Sequence, residues 1–407
     1  MIEKYYSGVI EQIYNRIGKE TRNIVMANYS NDFSIENLEV IRRYQSNEDN
    51  VFFAYSEFSY NTLVGAYEPF LDIICNMHRR FIGGSFDDFQ KECGVYYLHR
   101  QVLNSYYETG ECFREETVLL NEVAYEQRRM TMAIADMLKK LSEVKPLMIV
   151  INRFQMASKS SIETIKYLID NPCANIGIVL GVNAIVKGTD STVEVWDRIV
   201  ESLEDRSAIY YIGSAGPLKN NVKTTNDDEL YITMNFEQSI QEASNIMEFL
   251  DFEQARRGCR IIEHKLKFED AWIDEKSLRR FYMVYARTSV LLGEMSKAIE
   301  LTNEYKALIP ENDSEHYLSL YYFMKGTCYM YQGKLEKAGN SAKSAYDYAV
   351  LAEDDTLIFK AELLSVMIKM SGWYNIFFCV QDIPVSDEII EKLIKHGYRN
   401  HLAHIYI

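Results

Sequence analysis

The sequence predicts an α/β domain built on a parallel sheet of about five strands, followed by an all-α superhelix. Three observations predict it. Short, continuous apolar runs alternate with stretches of helical period over the first half of the chain. The strand signals stop after Phe236. Beyond that point Gly293, Gly333 and Gly372 recur 40 and 39 residues apart among helix-length segments. Unbroken apolar strands separated by helices belong to sheets covered on both faces, because every crossover lays a helix against the strands it joins.

The strand-length runs are IVMA (24–27), VFFAY (51–55), LMIVI (147–151), IGIVLGV (176–182) and AIYYIG (208–213). Helical spacing fills the gaps in SIENLEVIRRY, in a long segment from about Tyr60 to Lys140, in SSIETIKYLID and in STVEVWDRIVESL. The long insertion between the second and third strands is expected to form a cap or side bundle. Residues 1–213 therefore read as one doubly wound domain. GSAGPLKNNVKTTNDDE is polar and turn-rich, and a short apolar stretch follows it, so 214–235 reads as a linker with an extended segment.

Residues 236–407 read as helical repeats. Aligning FYMVYARTSVLLGEMSKAIELTNEYKALIP with LYYFMKGTCYMYQGKLEKAGNSAKSAYDYAV places Gly293 over Gly333, Ala286 over Gly326 and Ala298 over Ala338. A weaker copy puts Ser365 and Gly372 in the same register, and a fainter one surrounds Ala255. The small residues let two helices cross closely, and the glycine closes the turn between them. This pattern resembles the helix pair of tetratricopeptide (TPR) repeats, stretched by a longer loop; a generic helical bundle is the alternative. The final NHLAHIYI looks like an apolar helical start without a polar cap. A solenoid ends on a polar face, so the natural chain is expected to continue past Ile407, or an edge to be covered by a partner.

Composition narrows the function. The chain has 407 residues, 47% hydrophobic and 25% charged, more than one core normally holds. A net charge of −15 argues against duplex DNA as a ligand of this region, since phosphate neutralisation needs a basic face. No apolar run is long enough to span a membrane, and MIEKYYSGVIEQ has no signal-peptide layout. Seven scattered cysteines without a CxxC read as reduced core residues of a cytoplasmic protein. Thirty tyrosines suit inter-helix packing, with some left to line a groove.

PLMIVINRFQMASKSSIETIKYLIDNPCANIGIVLGVN is similar over its length to one part of the STAND class of signal-transduction ATPases, the AAA-like, LuxR-type regulators. There a strand carries the Walker B acid into a short loop and helix, and the next strand ends in a sensor residue. VFFAYSEFSYNTLVGAYEPFLDII resembles that family's second strand and the helix start after it. RNIVMANYSNDFSIENLEVIRRY resembles the first strand, phosphate loop and first helix. The resemblance implies a P-loop-like α/β domain joined to a TPR-like solenoid. It also implies a regulator of an output domain, which in that family is a DNA-binding helix-turn-helix or a cyclase.

The departures from the family pattern decide the chemistry expected. A phosphate loop of the form G-x-x-x-x-G-K-[ST] works because its glycines let backbone N–H groups surround phosphate, while the lysine adds charge and the hydroxyl holds Mg²⁺. Here Asn28, Asn31 and Phe33 stand at the glycine places, Ser34 at the lysine and Ile35 at the metal-binding hydroxyl. No glycine lies between Gly18 and Gly65, and Asp32 and Glu36 put negative charge at the helix start. At the Walker B place Asn152 and Arg153 replace the acid, and the next carboxylate is Glu163. Metal-bound phosphoryl transfer needs a carboxylate there. The expectation is a pseudo-ATPase with no catalytic residues, no cofactor and no metal site. The C-terminal His396, His401 and His404 read as surface or inter-repeat residues.

On the TPR register Arg280, Met283 and Arg287 of one repeat and Phe323, Thr327 and Tyr331 of the next face a groove. The two arginines suit an acidic or carboxylate-ended segment; partial cover by neighbouring repeats is the alternative. The function expected is a non-catalytic cytoplasmic regulatory or scaffold module, in signal transduction or transcriptional regulation. Its partner is a protein, a peptide or its own output domain beyond Ile407. A nucleotide switch that holds ATP or ADP in a divergent pocket is the competing expectation, and an oligomerisation module a third.

Overall fold

The computed structural model describes residues 2–29, 39–46, 50–59, 63–114, 118, 120, 122–183, 186–187, 190–205, 209–212, 223–224, 235–268, 273–312, 314–376, 387–395 and 398. The chain forms two compact units, one of Met1–Phe113 with Ala124–Lys267 and one of Arg114–Val123 with Phe268–Ile407.

The first unit opens with helix α1 (Ile2–Arg16), then strand β1 (Ile24–Tyr29), helix α2 (Glu39–Ser46) and strand β2 (Phe52–Glu57). The long insertion is helical, as its spacing predicts. It holds α3 (Phe70–Met77), a π-helical turn (His78–Ile82), α4 (Phe86–Glu92), α5 (Tyr97–Thr109) and α6 (Val123–Val144). Ser85 caps α4 by accepting the Asp88 N–H, and left-handed Gly110 ends α5. His78 packs among the rings of Phe86, Phe89 and Tyr107. A buried pair, His99 with Glu126 at 3.0 Å, ties α5 to α6.

Strand β3 (Leu147–Asn152), helix α7 (Lys159–Asp170), strand β4 (Ile176–Asn183), helix α8 (Asp190–Glu204) and strand β5 (Ile209–Ile212) complete the alternation. All five expected strands form. They lie parallel in the order β2-β3-β4-β1-β5. Every residue of β3 and β4 is buried, which explains why these runs carry no polar alternation. Gly177 and Gly181 sit four apart on β4 and so share a face. A Cβ at Gly177 would come within 2.9 Å of Ile13 and Ile17, so the glycines let α1 lie flush on the strand.

Helices α9 (Phe236–Glu248) and α10 (Phe252–Phe268) pack with this unit, whereas the sequence pattern groups them with the repeats. The physical reason is the turn between them, where Leu250 is left-handed (φ 69°). It carries the buried Asp251 carboxylate onto the N-terminus of α7, where it accepts the Ser160 N–H at 2.9 Å. Gln254 donates to the Val64 carbonyl at 2.9 Å, and Asn245 bonds both Gly110 and Cys112. These ties reach into the α/β unit from residues that sequence spacing marks only as helical. Of the expected linker, Lys223–Thr224 pairs in parallel with Val186–Lys187; residues 213–222 and 225–234 lie outside the described residues.

The second unit is a run of helices: α11 (Glu275–Leu291), α12 (Met295–Ala307), α13 (Ser314–Tyr331), α14 (Leu335–Leu351), α15 (Asp355–Ile376) and α16 (Asp387–Lys395). Gly293 and Gly333 turn α11 into α12 and α13 into α14 with φ of 78° and 72°. Gly326 lies where α13 meets its neighbours: an added Cβ would stand 3.0 Å from Leu364 and 3.3 Å from Ser341. Ala338, Ala342, Met330, Leu364 and Ile368 fill that junction. The third expected turn does not form. Helix α15 runs through Gly372 without a break. Five residues beyond Gly293 and Gly333 stand Ala298 and Ala338, both fully buried; five beyond Gly372 the sequence has Phe377 instead of a small residue. Among the described residues no helix is long and apolar enough to cross a membrane.

Candidate functional site

In an open parallel sheet, ligands bind outside the carboxyl ends of the strands, where neighbouring connections leave in opposite directions. Here that place lies between β1 and β4. The chain leaves β1 for β2 at the far edge and leaves β4 for β5 on the other side of β1. Asn28 and Tyr29 end β1, Asn152 ends β3, and Asn183 ends β4.

Among the described residues, side chains at the strand ends bond to one another. The Tyr29 hydroxyl donates to the Asn152 side-chain oxygen at 2.6 Å, a bond that passes over β4 at Gly181. A Cβ on Gly181 would sit 2.9 Å from that oxygen and collide with the Tyr6 hydroxyl. The rings of Tyr6 and Tyr29 meet edge to face at 6.3 Å, and Tyr6, Tyr29 and Asn152 are all buried. Burial, with Tyr29, Tyr55 and Glu57 nearby, holds the Tyr6 phenol well above its ordinary pKa, so it stays neutral. Next along the edge, Arg153 is left-handed (φ 54°) and pairs with Glu57 at 3.0 Å, while Tyr55 bonds the same carboxylate. The Asn183 N–H donates to the buried Gln155 side chain at 3.3 Å.

The structure thus brings Asn152 to the end of the first strand, where Asn28 is buried, while Arg153 turns to Glu57 at the end of the second. Asn31, Phe33, Ser34 and Ile35 lie outside the described residues. Sequence reasoning missed Tyr6, Tyr29, Tyr55 and Glu57. The Gly177–Gly181 spacing in an otherwise bulky strand, which marks close approach by another element, was the signal for Tyr6; no such signal marks Tyr55 and Glu57.

The groove residues divide between two helices. Arg280 is exposed and Met283 and Arg287 are half-buried on α11; Phe323, Thr327 and Tyr331 are half-buried on α13. Spacings of three to four residues put each set on one helix face. Phe323 and Tyr331 pack on the core of α13, α14 and α15, and Thr327 bonds back to the Phe323 carbonyl. The Tyr331 hydroxyl accepts the Leu120 backbone N–H at 3.2 Å, so one groove position is engaged by Leu120 of the same unit. Burial raises the Tyr331 pKa.

Two cavities lie elsewhere in the first unit. One of about 470 Å³ has Arg128, Lys166, Tyr167 and Arg198 on its walls, but Lys166 already pairs with Asp170 and Arg198 with Glu163. The other, about 240 Å³, is lined by Glu68, Asp72, Tyr106 and Glu242. Among the described residues no three His, Cys, Asp or Glu side chains are placed to hold a metal ion. The six described cysteines are free thiols. His396, His401 and His404 lie outside the described residues.

The chain matches no protein-family model and no curated protein.

Proposed function

We propose that this chain is a non-catalytic regulatory or scaffold module that keeps the layout of a nucleotide-binding α/β domain and works through protein–protein contacts. The observation that supports the reading is the Tyr29–Asn152 bond over Gly181. On the alignment with the signal-transduction ATPases, Asn152 offers an amide at the place of the carboxylate that metal-assisted phosphoryl transfer would use, and the Tyr29 hydroxyl engages it. An amide carries no charge for Mg²⁺, and the nearby Glu57 carboxylate is already paired with Arg153. The partner in this reading is a protein or peptide, or the protein's own output domain.

A thermal-shift assay tests it. A ligand at a hundred times its Kd stabilises a fold by about 2.7 kcal/mol. Millimolar ATP with Mg²⁺ is expected to leave the unfolding midpoint unchanged and to release no phosphate above the no-enzyme rate. A clear upward shift would favour the nucleotide switch instead.

A further inference from the structure

The cavity of about 240 Å³ lies where α9 meets the 63–69 loop, α3 and α5. Carboxylates enter it from three of these elements: Glu68 from the loop, Asp72 from α3 and Glu242 from α9. A Cβ on Gly65 would be 2.9 Å from a Glu242 oxygen and 3.4 Å from a Glu68 oxygen, so the two groups converge on one glycine. Glu68 accepts the Gly65 N–H at 2.9 Å, and Asp72 accepts the Tyr106 hydroxyl at 3.1 Å. The remaining polar group of the wall, Asn245, is committed to Gly110 and Cys112. Leu63, Leu71 and Phe249 complete the lining, which holds no lysine or arginine. Cys75 is the further titratable group on α3 near Asp72, and Arg79 acts on that thiol.

We propose that Glu242 and Glu68 form a proton-operated latch: with Glu242 neutral, α9 seats on the 63–69 loop, and with Glu242 ionised the wall carries three anions without a cation and α9 is pushed away. The latch goes beyond the module reading and does not depend on it. The electrostatics agree with the geometry. Burial, then Glu68 and Asp72, raise the Glu242 carboxyl from its ordinary 4.5 to about 7, and burial raises Glu68 too. A folded-state value above the ordinary one contributes stability that is complete below pH 4.5 and lost as pH rises to about 7.

Hydrogen exchange of the full chain tests this, read on the amides of residues 236–248 and corrected for the intrinsic pH dependence of exchange. The opening of α9 is expected to rise by up to about tenfold per pH unit between pH 5 and 7 and then level off. Amides of β3 and β4 serve as the internal reference and stay unchanged. The Glu242→Gln variant is expected to be flat across that range and, at pH 8, as protected as the native chain at pH 5. A flat native profile, a slope that survives in Glu242→Gln, or an equal change in β3 and β4 would overturn the latch.

Discussion

The Tyr29 hydroxyl reaches Asn152 across a strand that presents no side chain at the crossing point. Each of the three residues therefore has its own expected cost. Tyr29→Phe keeps the ring and removes one buried hydrogen bond to Asn152, which costs about 0.5–1.5 kcal/mol in urea unfolding. Gly181→Ala drives a methyl into the Asn152 oxygen and the Tyr6 hydroxyl, and overpacking of this kind costs about 1–3 kcal/mol or more. Asn152→Asp is the informative change, because it supplies the acid that the proposed resemblance to signal-transduction ATPases would call for. In a fully buried place its carboxyl takes a raised pKa. The variant is expected to lose stability as pH rises from 5 to 8, relative to the native chain, and to gain no ATPase activity. A variant that hydrolyses ATP would show that the site needs only its acid back.

At the scale of elements, two kinds of glycine shape the helical unit for different reasons. Gly333 has open space around it but a φ of 72°, whereas Gly326 is helical and crowded by Leu364 and Ser341. Substitution at Gly333 strains the backbone, so alanine costs about 1–2 kcal/mol and asparagine, which tolerates the left-handed region, costs less. At Gly326 the order reverses: alanine, the smaller, is the milder change, and asparagine forces α13 off α14 and α15. Thermal unfolding of the four variants followed by helical circular dichroism checks the crossover. Spacing made these two glycines legible in the sequence, because a turn and a close crossing both demand small residues at fixed offsets. Gly372 shares the spacing without the following alanine, and the helix passes through it. The joint at Asp251 was not legible for a related reason. A buried carboxylate on the N-terminus of α7 is a long-range contact, and it leaves no periodic trace in α9 or α10.

At the scale of the whole molecule, the α/β unit follows from five apolar runs, each of which forms a parallel strand. Burial on both faces writes itself into the sequence as unbroken hydrophobicity, so the strands were easy to read. Their order was not, because parallel neighbours are set by crossovers rather than by adjacency. The candidate site was legible as a set of absences: no glycines after β1 and no acid after β3. What occupies the space came only with the fold, since Tyr6 and Asn152 are far apart in sequence and meet over Gly181. The non-catalytic reading requires that the edge at Tyr29, Asn152 and Gly181 hold no metal–nucleotide complex. Isothermal titration of MgATP into the full chain at micromolar concentration tests this. No heat beyond dilution is expected at any ratio of nucleotide to protein. Saturable binding near one nucleotide per chain, abolished by omitting Mg²⁺, would contradict it.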